Sequence, residues 1–212
     1  SMDGVGEDVF FLSNGHISPV YYATLARAGY FDIAELASFR KLNSRLQGHP
    51  TTHEHLPGIR IASGSLGQGM SVAIGAALAK KLNNDDRLVY SLHGDGELEE
   101  GQNWEAILFA GHHKLSNLKL IVDYNKIQSF GFTKDILDLE PLTDKFKAFN
   151  WDVKKVNGHD IEAIQSALNS KLEGNLPTVI VANTVKGKGV SFMENELLWH
   201  YKSPSELEYL NA

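Results

Sequence analysis

His93-Gly94-Asp95-Gly96-Glu97-Leu98-Glu99-Glu100-Gly101, followed further along by Asp123-Tyr124-Asn125-Lys126-Ile127, decides the fold of this chain. An apolar run leads into each segment: Leu88-Val89-Tyr90-Ser91-Leu92 into the first and Leu118-Lys119-Leu120-Ile121-Val122 into the second. Runs of this kind predict strands buried on both faces, as a parallel sheet requires. Thirty positions separate Asp95 from Asn125, room for one helical crossover, and the stretch from about Gln102 to His112 predicts that helix. Asp95 and Asn125 are therefore expected side by side outside the carboxyl ends of two strands, where ligands of such sheets bind.

Outward from this centre the alternation continues. Thr178-Val179-Ile180-Val181-Ala182 predicts a third strand. The helix before it is marked by Ile161, Ile164, Leu168 and Leu172, with Asp160 as N-cap and Gly174 as terminator. Val9-Phe10-Phe11-Leu12 is a further strand-like run, and the tail from about Ser203, with Pro204, begins another element. The expected class is α/β, a mostly parallel sheet with helices on both faces and right-handed crossovers. No repeat or Pro/Gly-rich linker divides the sequence, so residues 1–212 are expected to form a single domain. Ser1-Met2 reads as a tag remnant before an initiator, so a truncated or gapped start is expected.

Composition narrows the partners. Of 212 residues 42% are hydrophobic and 22% charged, and no apolar run approaches the roughly 20 residues of a membrane span. A net charge of −6 argues against nucleic acid and against anionic membrane, since neither polyanion gains from this field. Any bound phosphate must be held locally. The absence of cysteine excludes disulfides, iron–sulfur clusters and cysteine-based zinc sites. No secretory signal precedes the first apolar run, and a cytoplasmic location is expected.

Asp95 and Asn125 offer hard oxygens at one sheet edge. Magnesium takes about six such ligands, only one or two from carboxylates, and draws the rest from water, carbonyls and phosphates. Asp95, Asn125 and the Ile127 carbonyl would leave room for a diphosphate, and Gly96 would let the backbone approach it without a Cβ in the way. Taken by itself Gly-Asp-Gly is an ordinary tight turn; the flanking strands and the spaced asparagine favour the metal. His49, His53, Glu54 and His55 suggest zinc by spacing, but Pro50 and Pro57 interrupt the helix that would put them on one face.

GDGELEEGQNWEA with DYNKI resembles the thiamine diphosphate motif of the transketolase family, and the resemblance extends over nearly the whole chain. It implies thiamine diphosphate as cofactor, with Mg2+ (or Ca2+ or Mn2+) held by Asp95, Asn125 and Ile127. Upstream, Asn14-Gly15-His16 is similar to the family's Asn-Gly-His turn, which makes His16 a diphosphate contact with a catalytic role. In Gln47-Gly48-His49-Pro50, His49 falls where the family binds the donor's terminal hydroxyl. Ser63-Gly64-Ser65-Leu66-Gly67-Gln68-Gly69 is similar to the loop that packs on the cofactor, which implicates Gly64, Ser65 and Leu66. Thr184-Val185-Lys186-Gly187-Lys188-Gly189 and Leu198-Trp199-His200 resemble the last two contacts. Lys186 would reach the diphosphate, and His200 would lie between cofactor and substrate.

Three departures stand out. The family's amino-terminal segment, with an early histidine, is missing; Tyr201 replaces a frequent glycine after Trp199-His200; and His93 before the Gly-Asp-Gly turn is unusual and is assigned only to capping the strand. The length is closest to the amino-terminal subunit of a split transketolase. That resemblance implies a carboxy-terminal subunit carrying the pyrimidine-binding domain, a heterotetramer with two copies of each chain, and sugar phosphate substrates. Glu100 would be the carboxylate offered toward the partner's glutamate, while the small-residue helix from Gly67 to Leu82 and the stretch around Trp104 would form interface. The competing readings are a 1-deoxyxylulose-phosphate synthase-like or 2-oxoacid decarboxylase-like subunit, and a noncatalytic cofactor-binding subunit. A dinucleotide-binding protein is disfavoured, because the glycine spacing after the first strand does not match that fingerprint.

Overall fold

The computed structural model describes residues 5–170 and 174–212. Strands β1 (Val9–Leu12), β2 (Val89–Gly94) and β3 (Leu118–Tyr124) form where the apolar runs predict them. The short strands β4 (Ile127–Gln128) and β5 (Gly131–Phe132) make an antiparallel hairpin after β3. Strands β6 (Asp152–Asn157) and β7 (Thr178–Asn183) complete one parallel sheet of order β1-β2-β3-β7-β6.

Seven α-helices accompany the strands among the described residues: α1 (Ser18–Arg27), α2 (Gln68–Leu82), α3 (Gly101–His112), α4 (Thr133–Ile136), α5 (Leu142–Ala148), α6 (Ile161–Leu168) and α7 (Glu206–Asn211). Register puts Val9, Val89, Leu118 and their neighbours two residues on along one face of the sheet. There they join Met70, Ala73 and Ala77 of α2, Ile107 and Ala110 of α3, and Phe146 of α5 in the main core. The other face carries α1, whose Tyr21 ring meets Phe10 at 5.6 Å, and α6, whose Leu168 carbonyl accepts from the buried Lys119 ammonium. Helices thus cover both faces, as alternation implies.

Two expectations need correction, and one strand was not expected. Helix α6 begins at Asp160, whose carboxylate accepts from Ala163 N at 3.0 Å, but it ends at Leu168, well before the expected terminator Gly174; Leu172 lies outside the described residues. Trp104 does not face outward: its indole donates to the Leu98 carbonyl at 2.8 Å and its ring packs on Phe146 and Phe149. The exposed apolar side chains nearby are Leu108 and Phe109 on α3 and Val72 on α2. Strand β6 escapes the apolar criterion because Asp152-Val153-Lys154-Lys155-Val156-Asn157 is an edge strand, where lysines are tolerated and discourage further pairing.

The small residues of α2 and α3 allow close packing rather than flexibility. A Cβ on Gly111 would stand 1.8 Å from the Phe149 carbonyl oxygen, so backbone would have to move. Gly111→Ala should destabilise the chain by about 1–3 kcal/mol, as overpacking does. Urea unfolding checks this, and a variant as stable as the parent would contradict the packing shown here.

Candidate active site

Four of the sheet's strands deliver their carboxyl ends to one cavity of about 590 Å³. Strand β1 leads into Asn14 and His16, β2 into Asp95 and Gly96, β3 into Asn125, and β7 into Lys186; Leu66 and His200 close the wall. Ile127, at the start of the hairpin, lines the same space. Eight of the residues singled out in the sequence therefore meet here: His16, Leu66, Asp95, Gly96, Asn125, Ile127, Lys186 and His200. His49, Gly64, Ser65 and Glu100 do not line the cavity itself.

The turn after β2 is locked to the turn after β3. One Asp95 oxygen accepts from Gly96 N at 2.7 Å and the other from Lys126 N. Asn125 Oδ1 accepts from Ile127 N at 3.0 Å, and its amide donates to Asp123 Oδ2 at 3.3 Å. The Thr184 hydroxyl donates to the other Asp123 oxygen, which ties the turn after β7 to the same cluster. Asp123 and Thr184 were not singled out in the sequence, although Asp123 stands within the quoted DYNKI segment. A Cβ on Gly96 would lie 2.8 Å from Gln128 Cβ, so glycine is needed there for the hairpin to pack as well as for access.

The histidines come from separate segments. His16 and His49 meet edge to face with centroids 4.7 Å apart. Gly64, at φ +121°, fits beneath the His49 ring, where a Cβ would lie 2.6 Å from its Cδ2. That contact joins loop 63–67 to His49. Glu100 is exposed at the N-cap of α3, and a Cβ on Gly67 would come within 2.9 Å of the Glu100 Cβ. The segment bearing Lys186 and His200 is held by the Trp199 indole, which donates to Phe192 O at 2.9 Å.

The cavity wall also includes a buried acid that sequence reading passed over. Glu97 Oε1 accepts from Ser13 Oγ at 2.5 Å and from Gly67 N at 2.9 Å. Glu97 Oε2 faces His93 Nδ1 at 3.2 Å and Gly94 N at 3.4 Å. His93 is fully buried, with Nε2 2.7 Å from Ser91 Oγ, so it does more than cap the strand. The signal available in the sequence was the i, i+4 spacing of His93 and Glu97 across the turn.

Burial pushes the Asp95 carboxyl up to about 6 against the pull of the Lys126 and Gly96 amides, and Asp123 and Glu99 push the same way. A buried acid that resists ionisation next to other carboxylates suits a site completed by a cation. For Glu97, burial acts to raise the pKa, but His93, Ser13 and Gly67 outweigh it and hold the group below the usual range. His16 is lowered by burial and by His49, with Glu97 opposing; His200 is lowered by burial, Lys186 and His16. Both imidazoles are thus neutral at pH 7.

The site also holds open valences. Asn14 Oδ1 and His200 Nδ1 are buried without a protein partner, although such atoms are usually paired. Carboxylate, amide and carbonyl oxygens beside a lysine fit a hard divalent cation carrying phosphates. No group of three or more His, Cys, Asp or Glu able to hold a metal occurs among the described residues; amide, carbonyl and phosphate oxygens would have to complete the shell.

Comparison with known proteins identifies the chain. Residues 3–204 match the model for the thiamine diphosphate binding domain of transketolase, and the chain belongs to the transketolase family of thiamine diphosphate-dependent transferases. It is 45% identical over 197 residues to an apulose-4-phosphate transketolase subunit of Actinobacillus succinogenes, covering 93% of this chain and 71% of that one. A 6-deoxy-6-sulfo-D-fructose transketolase subunit from a Clostridium species is 43% identical, with 91% and 70% covered. The resemblance is to the amino-terminal subunit of a split transketolase. Campylobacter jejuni transketolase superposes with a TM-score of 0.83 at 37% identity, over 90% of this chain and 31% of that one. The Pichia stipitis enzyme in complex with sedoheptulose-7-phosphate gives 0.84 at 32% identity, over 90% and 30%. This chain therefore spans about a third of those solved enzymes. No helix among the described residues is long and apolar enough to cross a membrane.

Proposed function

We propose that this chain, as a single domain, holds the diphosphate and divalent-metal half of a cofactor site for ketol transfer from a ketose to an aldose, and that a second subunit completes it. The supporting observation is the convergence of Asp95, Asn125 and Ile127 with His16, Lys186 and His200 around one cavity. Magnesium would be held by Asp95, Asn125 and the Ile127 carbonyl, and Lys186 would take the diphosphate charge. When bound, thiamine diphosphate supplies the carbon–carbon bond chemistry. Leu66, with the backbone of Gly64 and Ser65, would pack against it.

Protein groups would then manage protons and orientation. His200, neutral and with Nδ1 unpartnered, can donate to a substrate oxygen or accept from it. His16, on the cavity wall, would meet the diphosphate, and His49, packed edge to face on His16, would meet the donor. Exposed Glu100 is free to meet a partner's carboxyl group across an interface. The names of the two relatives favour anionic sugars as substrates. Two copies of each subunit, closed by two-fold symmetry, is the simplest assembly, and the composition suits the cytoplasm.

The test is a ketol-transfer assay on the chain co-expressed with the product of its neighbouring gene, scanning phosphorylated and sulfonated ketoses as donors. Transfer with at least one donor is expected; none with any would overturn the reading. In the same assay His49→Ala should lower kcat by about 10²-fold or more, as loss of a proton-handling group does, with cofactor affinity unchanged. His200→Ala should impair both. Identical patterns for the two variants would refute this division of roles.

A further inference from the structure

The Glu97 carboxylate joins three segments that the sequence keeps far apart. Ser13 follows β1, Gly67 precedes α2, and Gly94 ends β2; donors from all three converge on its two oxygens. Glu97 is 2% exposed and His93 is 0% exposed. Although Glu97 forms part of the cavity wall, both its oxygens are engaged by protein donors. The carboxylate is therefore arranged to hold the wall rather than to bind what lies inside it.

What it holds is specific. Gly67 sits in the left-handed region at φ +83° and starts α2, while its N–H points to Glu97 Oε1. Asn103 donates to the Glu97 carbonyl at 2.6 Å and fixes the acid's own backbone from the side of α3. Loop 63–67 is thereby set at a fixed height over the Gly94-Asp95-Gly96 turn. An apolar pair of similar size would fill the same space, since replacing both partners of a buried polar contact by apolar groups of the same shape can be nearly neutral. Packing by itself does not require this pair.

We propose that Glu97, oriented by His93, is a positioning residue that fixes loop 63–67 against the metal-binding turn and so sets the gap into which the thiazolium half of the cofactor fits. This rests on the cofactor reading above, but the tie between Glu97 and Gly67 can be measured without any cofactor. His93→Leu/Glu97→Leu removes the acceptor while keeping an apolar filling. Glu97→Gln keeps an amide oxygen for Gly67 and Ser13, His93 can change tautomer to meet the amide NH2, and only the long 3.4 Å contact from Gly94 N is given up.

Hydrogen exchange on the ligand-free chain is the first measurement. The double variant should exchange the Gly67 amide about tenfold faster or more, with the β3 amides and the β2 amides before Gly94 unchanged, while Glu97→Gln stays near the parent. The second is calorimetry of the protein assembled with its partner, with magnesium present. The double variant should lose about tenfold in thiamine diphosphate affinity yet keep its affinity for inorganic pyrophosphate, which would use the metal turn, His16 and Lys186 and not loop 63–67; Glu97→Gln should restore the first. Unchanged exchange at Gly67, or equal acceleration through β2 and β3, would overturn the proposal, as would a parallel loss of both affinities. A parent protein that, assembled with its partner, binds pyrophosphate but no thiamine diphosphate would remove the cofactor reading, and the exchange result would still decide the role of Glu97.

Discussion

Purified without a second subunit, this chain should transfer no ketol group, and mixing it with its partner should restore turnover by at least about 10²-fold, because even a 1 Å misplacement at a reacting centre costs that much. The five-stranded sheet supplies one set of carboxyl ends, four of which lead into the cavity of about 590 Å³. It gathers groups suited to a diphosphate and a metal, and Glu100 stands exposed beside them. Leu108 is 53% exposed, Phe109 41% and Val72 44%, an apolar surface on the helices next to Glu100 that suits burial against another subunit. Light scattering should show a larger species on mixing, together with turnover. Robust transfer by this chain purified to homogeneity would overturn the two-subunit reading.

Asp95→Ala should abolish magnesium-dependent thiamine diphosphate binding and leave the fold close to intact. Loss of a direct ligand should exceed the ~10–100-fold that removal of an outer hydrogen-bond partner costs. The stability balance is nearly even. Holding this carboxyl ionised at pH 7 costs about 3 kcal/mol, the equivalent of lifting its pKa from 3.8 to about 6. Removing it leaves the Lys126 and Gly96 amides without that acceptor, a loss of about 1–3 kcal/mol each where they stay buried and less where water enters. The sign follows from the raised pKa: in the metal-free protein the penalty is absent below about 4, grows between about 4 and 6, and is complete above. Thermal melts at pH 7 without ligand should nearly coincide for parent and variant, and only the parent should shift upward with magnesium and thiamine diphosphate. An equal shift in both would remove Asp95 from the metal site.

The sheet's centre was legible in the sequence because β2, β3 and β7 are interior strands covered on both faces, which favours mostly apolar runs. Edge strand β6 was not, since one free side tolerates the adjacent Lys154 and Lys155 between its valines. The cavity residues were legible where a loop directly follows a buried strand, as with Asp95 and Asn125. Glu97 was hidden in plain view: in a motif crowded with Glu99 and Glu100, only folding shows which acid turns inward to meet Ser13 and Gly67. Trp104 misled for the opposite reason. Its helix position fits an interface, but Leu98 O, Phe146 and Phe149 give it partners inside the chain.

The central claim is that this chain builds the diphosphate and metal half of the site, and a calorimetric titration of thiamine diphosphate into the assembled protein, once with magnesium and once with the metal chelated, tests it most directly. Saturable binding with one cofactor per copy of this chain in magnesium, and loss of that binding on chelation, is the expected result. Binding of equal strength with and without the metal, or none under either condition, would contradict it.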